Sequence, residues 1–178
     1  MNKHLSKAVF LDRDGTVIPD ANYLATVEGV TLLPGAGEAL AALARAGFLL
    51  VLVTNQSGIG RGYFTAAMVT AQHQRLQELL QPFGVAFAAI EFCPHAPDMA
   101  CDCRKPQPGM LLAAAQKLHI SFADSIMVGD KPADVAAGRA TGCRTVFIGP
   151  QPCAAADFSA PTLTAAAEWI LRQAPAAP

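Results

Sequence analysis

Short apolar runs alternate along the chain with longer stretches rich in alanine and leucine. Five runs predict strands: Ala8–Leu11, Phe48–Val53, Ala86–Phe92, Ser125–Val128 and Arg144–Ile148. Each is almost continuously apolar, which is typical of strands buried on both faces of a sheet. Helices are predicted over Gly35–Arg45, Thr65–Leu80, Pro108–Leu118, Ala133–Ala140 and Leu163–Leu171. This alternation predicts an α/β fold in which a mostly parallel sheet carries helices on both faces.

Several residues mark the ends of these elements. Thr65 is expected to cap the start of its helix, Gly47 and Gly84 follow helix ends, and Pro108 suits a first helical turn. The segment Gly149–Pro161, rich in proline and alanine, is predicted to be a surface connection. Residues 174–178 are predicted to be a frayed tail. No second domain is expected, so residues 1–178 are predicted to form a single domain.

Composition narrows the class of protein. The chain has 178 residues, of which 52% are hydrophobic and 15% charged, and this balance excludes an intrinsically disordered chain. The formal net charge of -1 leaves no basic excess with which to bind nucleic acid or an anionic membrane. The apolar runs are too short to span a bilayer, and no secretory pattern is recognisable at the start. A cytoplasmic location is therefore expected.

Polar residues whose side chains could take part in catalysis or phosphate binding follow the predicted strands. Asp12 and Asp14 leave the first strand two residues apart, so one could act as nucleophile and the other as general acid. The segment Thr54–Gly58 follows the second strand, and its hydroxyl, amides and backbone N–H groups suit phosphate oxygens. Each segment alone could also be an ordinary turn.

Two later segments add a cation and further carboxylates. Arg104 and Lys105 precede a helix and could neutralise a phosphoryl group, although they could also be solvated charges. Asp130 and Asp134 lie at a strand–helix junction, where they could bind Mg²⁺ or simply cap the helix. Because ligands of such sheets bind at the carboxyl ends of the strands, the four segments together predict a catalytic site.

The four segments, in this order across Val9–Asp134, resemble the four motifs of the haloacid dehalogenase superfamily of phosphohydrolases. The resemblance implies a Rossmann-like core without a cap domain and Mg²⁺-dependent transfer of a phosphoryl group to an aspartate. By position in the motifs, it implies that Asp12 is the nucleophile and Asp14 the general acid and base. It also implies that Thr54, with Asn55 and Gln56, binds the phosphoryl group.

The same resemblance implies roles for the remaining charges. Lys105 would neutralise the phosphoryl charge. Mg²⁺ would be bound by Asp12, the backbone carbonyl of Asp14 and Asp130, with Asp134 close by but not in direct contact.

A cluster of sulfur and nitrogen ligands precedes Arg104. Cys93, His95, Cys101 and Cys103 provide three thiolates and an imidazole, a common structural zinc set with no open position. Reactive thiols or a disulfide are the alternatives. The zinc would stiffen the loop and aim Arg104 and Lys105, which follow Cys103 directly. Cys143 and Cys153 lie outside this pattern and are expected to have packing or surface roles.

Within the superfamily, the zinc loop and the segment Ser57–Phe64 resemble a group of small phosphatases acting on heptose bisphosphate or histidinol phosphate. The heptose substrate is favoured, with histidinol phosphate or another small metabolite as the alternative. Arg104, Arg61 and Lys131 are the candidate contacts to the rest of the substrate. A non-catalytic phosphate-binding scaffold is disfavoured by the intact acidic and basic residues. A monomer that binds a small molecule is expected.

Overall fold

The computed structural model describes residues 5–173. They contain a six-stranded, wholly parallel sheet in the order β3-β2-β1-β4-β5-β6. The strands are β1 Ala8–Leu11, β2 Leu49–Asn55, β3 Ala89–Cys93, β4 Ile126–Gly129, β5 Arg144–Ile148 and β6 Phe158–Ala160. The α-helices are α1 Ala36–Arg45, α2 Ala66–Leu80, α3 Gly109–Leu118, α4 Pro132–Thr141 and α5 Leu163–Gln173. The predicted α/β architecture is confirmed.

The central strand β1 is buried on both faces because side chains alternate across it. Val9 and Leu11 pack into the cluster formed with α1 and α5, whereas Ala8 and Phe10 pack into the cluster formed with α3. Successive residues of a strand point to opposite faces, so this short, fully apolar run can serve two cores. β1 is therefore fixed at the centre of the molecule, and the residues that follow it start from a rigid position.

Local capping follows the predictions in part. The hydroxyl of Thr65 accepts a hydrogen bond of 3.2 Å from the Met68 backbone N–H at the start of α2, as predicted. Gly47 has a φ of 84°, which a residue with a side chain rarely adopts, and the chain turns there into β2. Pro108 lies one position before α3 rather than inside its first turn.

The prediction for Gly149–Pro161 is wrong, because this segment contains β6. Phe158 pairs with Val146 in parallel register, and its ring stacks on Trp169 of α5 at a centroid distance of 4.9 Å. A three-residue strand inside a segment rich in proline and alanine leaves no periodic signal, and contact with α5 stabilises it instead. The predicted frayed tail, 174–178, lies outside the described residues. Between residues 5 and 173, the helices lack the length and apolar character needed to cross a membrane.

Candidate active site

A cavity of about 320 Å³ lies beyond the carboxyl ends of the strands, where an open parallel sheet of this kind binds its ligands. Most predicted site residues line it: Asp12, Asp14, Asn55, Gln56, Arg104, Lys105, Lys131 and Asp134. Thr54 and Asp130 are at the same strand ends but are not part of its lining, and neither is Arg61. The structure thus brings together residues that are up to 122 positions apart in the chain, from Asp12 to Asp134.

Lys105 is a buried cation of the site. Its Nζ lies 2.9 Å from Asp12 Oδ1 and 2.6 Å from Asp134 Oδ1, and it donates a 2.7 Å hydrogen bond to the Val53 carbonyl. Burial by itself would lower the pKa of Lys105, but the two carboxylates outweigh it and raise the pKa above its usual value. Lys105 is therefore a fixed positive charge next to Asp12.

Three carboxylates converge beside this cation. Ligand oxygens of Asp12, Asp130 and Asp134 all lie within 4.8 Å of one another. Burial, and then the negative charge of Asp12, raise the pKa of Asp134 to about 6 although Lys105 opposes the shift. Burial and Asp12 likewise raise the pKa of Asp130. Neighbouring carboxylates repel one another when they are ionised, so a further cation would stabilise this cluster.

The oxygens of this cluster differ in what they can bind. Asp134 is engaged on both sides, by Lys105 and by the backbone N–H of Lys131 at 2.9 Å. Asp130 Oδ1, by contrast, is buried and has no hydrogen-bond partner among the described residues. A buried carboxylate oxygen without a partner is costly unless a ligand satisfies it. Asp12 and Asp130 therefore fit a divalent cation such as Mg²⁺, and Asp134 orients Lys105.

Asp14, which also lines the cavity, is held in a defined orientation. Arg13 donates to both of its carboxylate oxygens, at 3.1 Å from Nε and 3.0 Å from Nη2. Gln56 Nε2 donates to Asp14 at 2.9 Å and also to the Thr54 hydroxyl at 2.9 Å. The Asp14 side chain remains 22% exposed, so it is fixed and yet accessible from the cavity.

Asn55 has a structural partner at this strand end. Its Nδ2 donates to the Lys105 carbonyl at 3.1 Å, and its Oδ1 accepts from the Lys105 backbone N–H at 3.0 Å. This pair of bonds spans 50 positions of the chain and ties the segment carrying Lys105 to the end of β2.

The predicted zinc ligands form one compact cluster. His95 Nδ1 lies 3.4 Å from Cys93 Sγ and 3.3 Å from Cys103 Sγ, and Cys93 Sγ lies 3.7 Å from Cys101 Sγ and 3.0 Å from Cys103 Sγ. Ordinary Zn–S and Zn–N bonds at tetrahedral angles give S···S of about 3.8 Å and S···N of about 3.6 Å. Three distances are close to these values and the fourth is shorter. All exceed a disulfide bond of about 2.0 Å, so the cluster could bind zinc.

Three further predicted cations differ in their relation to the cavity. Lys131 pairs with Asp20 at 3.0 Å and with Asp130 at 2.9 Å, and these contacts raise its pKa. Arg104 lies 3.4 Å from the His95 carbonyl and lines the cavity. Arg61 is not part of the cavity lining and lies 5.9 Å from the ring of Tyr23, which is.

Sequence reasoning missed several residues that shape the site. Asp20, Tyr23 and Leu24 line the cavity from the segment after β1. Arg13 is only 1% exposed and donates a hydrogen bond to Gln72 of α2. Gln72 in turn donates to the backbone carbonyl of Leu24. No motif marks Gln72 or Tyr23. The one available signal was the position of Arg13 between two aspartates that leave a buried strand.

Comparison with known proteins agrees with this arrangement. A family model described as HAD-hydrolase-like matches residues 102–167. D-glycero-beta-D-manno-heptose-1,7-bisphosphate 7-phosphatase of Pseudomonas putida is 42% identical over 143 residues, covering 80% of this chain and 82% of that protein. The enzyme of the same name from Escherichia coli K12 is 39% identical over 171 residues, covering 92% and 87%.

A solved structure extends the likeness to three dimensions. D,D-heptose 1,7-bisphosphate phosphatase from B. bronchiseptica, complexed with magnesium and phosphate, superposes with a TM-score of 0.85. It is 34% identical and covers 94% of this chain and 99% of its own. Fold and site together define a HAD-like hydrolase. Within that class, the chain belongs to the family of D-glycero-beta-D-manno-heptose-1,7-bisphosphate 7-phosphatases. The predicted phosphohydrolase resemblance is confirmed.

Proposed function

We propose that this protein removes the C7 phosphate of D-glycero-β-D-manno-heptose 1,7-bisphosphate and releases heptose 1-phosphate. This reaction belongs to the synthesis of activated heptose for the lipopolysaccharide core. The observation that carries the proposal is the pairing of Lys105 with Asp12 beside a second, separately held acid, Asp14, in one cavity. Relatives about 40% identical over most of the chain act, by name, on this bisphosphate.

In the proposed reaction Asp12 and Asp14 share the work. Asp12 attacks the phosphorus, the bond between phosphorus and the C7 oxygen breaks, and Asp14 gives that oxygen a proton. An aspartyl-phosphate on Asp12 results. Asp14 then takes a proton from the water that attacks this intermediate, which releases phosphate and regenerates both carboxyl groups. Gln56 and Arg13 keep Asp14 directed at the leaving oxygen through their hydrogen bonds.

Fixed positive charge is needed for Asp12 to approach a dianionic phosphate. Lys105, with Nζ already 2.9 Å from Asp12, supplies one such charge without any rearrangement. Asp12, Asp130 and the backbone carbonyl of Asp14 are the residues that would bind Mg²⁺. When bound, the ion offsets the negative charge of the phosphoryl oxygens. The magnesium and phosphate found in the relative from B. bronchiseptica support this choice of metal.

The second metal in the proposal is a structural Zn²⁺. Cys93, His95, Cys101 and Cys103 would fill all four of its positions, so it has no catalytic part. The cluster is continuous with the reactive segment, because Arg104 follows Cys103 and its side chain lies 3.4 Å from the His95 carbonyl. A stiff loop at this point would keep Arg104 and Lys105 in place.

The remainder of the substrate would lie toward the mouth of the cavity. Arg104 and Lys131 are the cations there, and a second phosphate group on the sugar is the anion that they suit. Asn55 and Gln56 line the same cavity. Arg61 would act more weakly, through the Tyr23 ring beneath it. The proposal includes a monomeric, cytoplasmic enzyme, as expected from the sequence.

The test compares substrates for the purified protein in the presence of Mg²⁺. The value of kcat/KM should be far higher for the β-anomer of heptose 1,7-bisphosphate than for the α-anomer or for histidinol phosphate. The Asp12→Asn variant, prepared in parallel, controls for contaminating phosphatases. A preference for histidinol phosphate would keep the aspartyl mechanism and refute the proposed substrate. No release from any of the three would favour a phosphate-binding scaffold.

A further inference from the structure

A continuous chain of hydrogen bonds runs from Asp14 to the wall of the cavity. Arg13 holds Asp14 through two bonds, and its Nη1 donates to Gln72 Oε1 at 2.9 Å. Gln72 Nε2 in turn donates to the carbonyl of Leu24 at 2.9 Å and to that of Thr26 at 3.3 Å. Leu24 itself lines the cavity. One side chain from α2 therefore contacts both the support of the general acid and the segment beside the substrate.

Gln72 occupies a position where the fold alone would favour an apolar residue. It lies on the buried stripe of α2 with Val69 and Leu76, and it is 1% exposed. Burying an amide costs free energy unless its donors and acceptor are satisfied. Here both ends of the amide have partners, and the partners belong to the site rather than to the helix.

The guanidinium of Arg13 depends on this arrangement. It is 1% exposed, and Asp14 and Gln72 are the side chains that accept from it among the described residues. His73 lies next to Gln72, and burial followed by the charge of Arg13 lowers the pKa of His73 to about 3, so His73 is neutral. Without Gln72, Arg13 Nη1 would lose its side-chain acceptor and Asp14 alone would fix the guanidinium. A small displacement of a catalytic group can cost much rate.

We propose that Gln72 is a positioning residue with two functions: through Arg13 it orients the carboxyl group of Asp14, and through Leu24 and Thr26 it holds the cavity wall. The inference rests on the proposed function, in which Asp14 protonates the leaving oxygen. A residue that orients a general acid matters most when the leaving group needs the proton. It matters little when the leaving oxygen departs readily as an anion.

The experiment uses two substrates of nearly equal shape. Phenyl phosphate has a poor leaving group and p-nitrophenyl phosphate a good one, and kcat/KM covers the steps up to departure of that group. In Gln72→Met, which removes both sets of contacts, we expect kcat/KM for phenyl phosphate to fall about tenfold more than for p-nitrophenyl phosphate. Gln74→Met, on the exposed face of the same helix, is the control and should change neither value.

A second variant separates the two functions. Gln72→Glu keeps an acceptor for Arg13 and loses the donor to the wall. It should leave the ratio of the two kcat/KM values near that of the wild type while raising KM for the heptose bisphosphate. If Gln72→Met does not fold, Arg13→Lys takes its place, because it keeps the charge but not the paired bonds to Asp14. In Arg13→Lys, kcat/KM for p-nitrophenyl phosphate divided by kcat/KM for phenyl phosphate should rise above the wild-type ratio.

The outcomes are distinguishable. An equal loss on both aryl phosphates in Gln72→Met or Arg13→Lys would mean that the network only supports folding, and the inference would be wrong. It would also be wrong if Gln72→Glu and Gln72→Met changed the ratio equally. The wild-type rate on heptose bisphosphate, measured alongside, reports separately on the proposed function, since that rate does not depend on the aryl phosphates.

Discussion

Charged side chains that would ordinarily face water are buried at this site, and each is stabilised by another. Lys105 is 3% exposed between Asp12 and Asp134, and Arg13 is 1% exposed beside Asp14. A buried charge is tolerated when it is paired and hydrogen-bonded, and losing one partner is strongly destabilising. The groups to which we assign catalytic roles are thus held in place without a substrate, and fixed charges of this kind accelerate phosphoryl transfer.

The role that we propose for Asp14, general acid and base, gives the first prediction. In Asp14→Asn the amide can still accept a hydrogen bond from Arg13, but it cannot transfer a proton. We expect kcat/KM on the sugar bisphosphate to fall by about 10²–10⁴-fold, the usual contribution of a general acid. Steady-state kinetics together with a thermal melt checks this. If kcat/KM falls less than tenfold in a folded variant, Asp14 is not the general acid.

His73 predicts how stability depends on pH. Burial, and to a lesser extent Arg13, lower its pKa from 6.5 to about 3. Between these values the unfolded chain binds a proton that the folded chain does not, so the free energy of unfolding decreases as the pH falls through this window. From pH 7 to pH 5 this group should cost about 2 kcal/mol.

The His73→Leu variant isolates that contribution. Urea unfolding of both proteins at pH 7 and pH 5 should show a smaller loss of stability in the variant, whatever its absolute stability. Asp130 and Asp134, whose pKa values are raised, titrate in both proteins, so their contributions to the pH dependence cancel in the comparison. Equal losses would mean that His73 is protonated in the folded state.

At the scale of elements, continuous apolar runs located the strands better than they located strand ends. β1 and β5 have the predicted bounds, because each run is bounded by polar residues or turns. β3 begins at Ala89, three residues after the predicted start at Ala86. The apolar residues before it are placed differently: Phe87 N–H donates to Gln77 of α2, and only Ala88 reaches the β2 backbone. Of these three residues only Phe87 is buried, and an apolar residue outside a strand looks the same in sequence as one inside it.

The cap of α2 can be tested by a single substitution. Thr65→Ala removes the acceptor for Met68 N–H, and the free energy of unfolding should fall by about 1 kcal/mol. Thr70→Ala is the matched control, because the Thr70 hydroxyl donates to the carbonyl of Ala66 within the same helix and does not cap the helix start. Urea denaturation of both variants measures the difference. Equal effects would show that the hydroxyl of Thr65 does not stabilise the helix start.

The zinc loop can be tested by its metal content. In Cys101→Ser we expect zinc to be lost on dialysis and kcat/KM to fall, because Arg104 and Lys105 follow the cluster directly. Cys153→Ser changes a half-buried thiol outside the cluster and should keep both zinc and activity. Elemental analysis of the two proteins, followed by kinetics with excess Mg²⁺, makes the comparison. A wild-type protein that is fully active without zinc would contradict the structural role.

At the scale of the whole molecule, strand order determines which parts of the site could be foreseen. Groups at the carboxyl ends of β1, β2 and β4 were predictable, because parallel strands bring these ends to one edge of the sheet. Gln72 was not, because its bond to Arg13 spans 59 positions and depends on how α2 packs. Tyr23 was not either, since it lies in a loop with a positive φ of 73° and no motif. Single-domain folding and the monomeric state stay predictions.

The most direct measurement follows the two phosphate groups of the substrate by phosphorus NMR. Purified protein and Mg²⁺ are mixed with D-glycero-β-D-manno-heptose 1,7-bisphosphate, and both phosphate signals are recorded with time. We expect the C7 signal to disappear as free phosphate appears, while the C1 signal persists, and we expect Asp12→Asn to leave both unchanged. Loss of the C1 phosphate, or turnover that survives in Asp12→Asn, would contradict the proposed reaction.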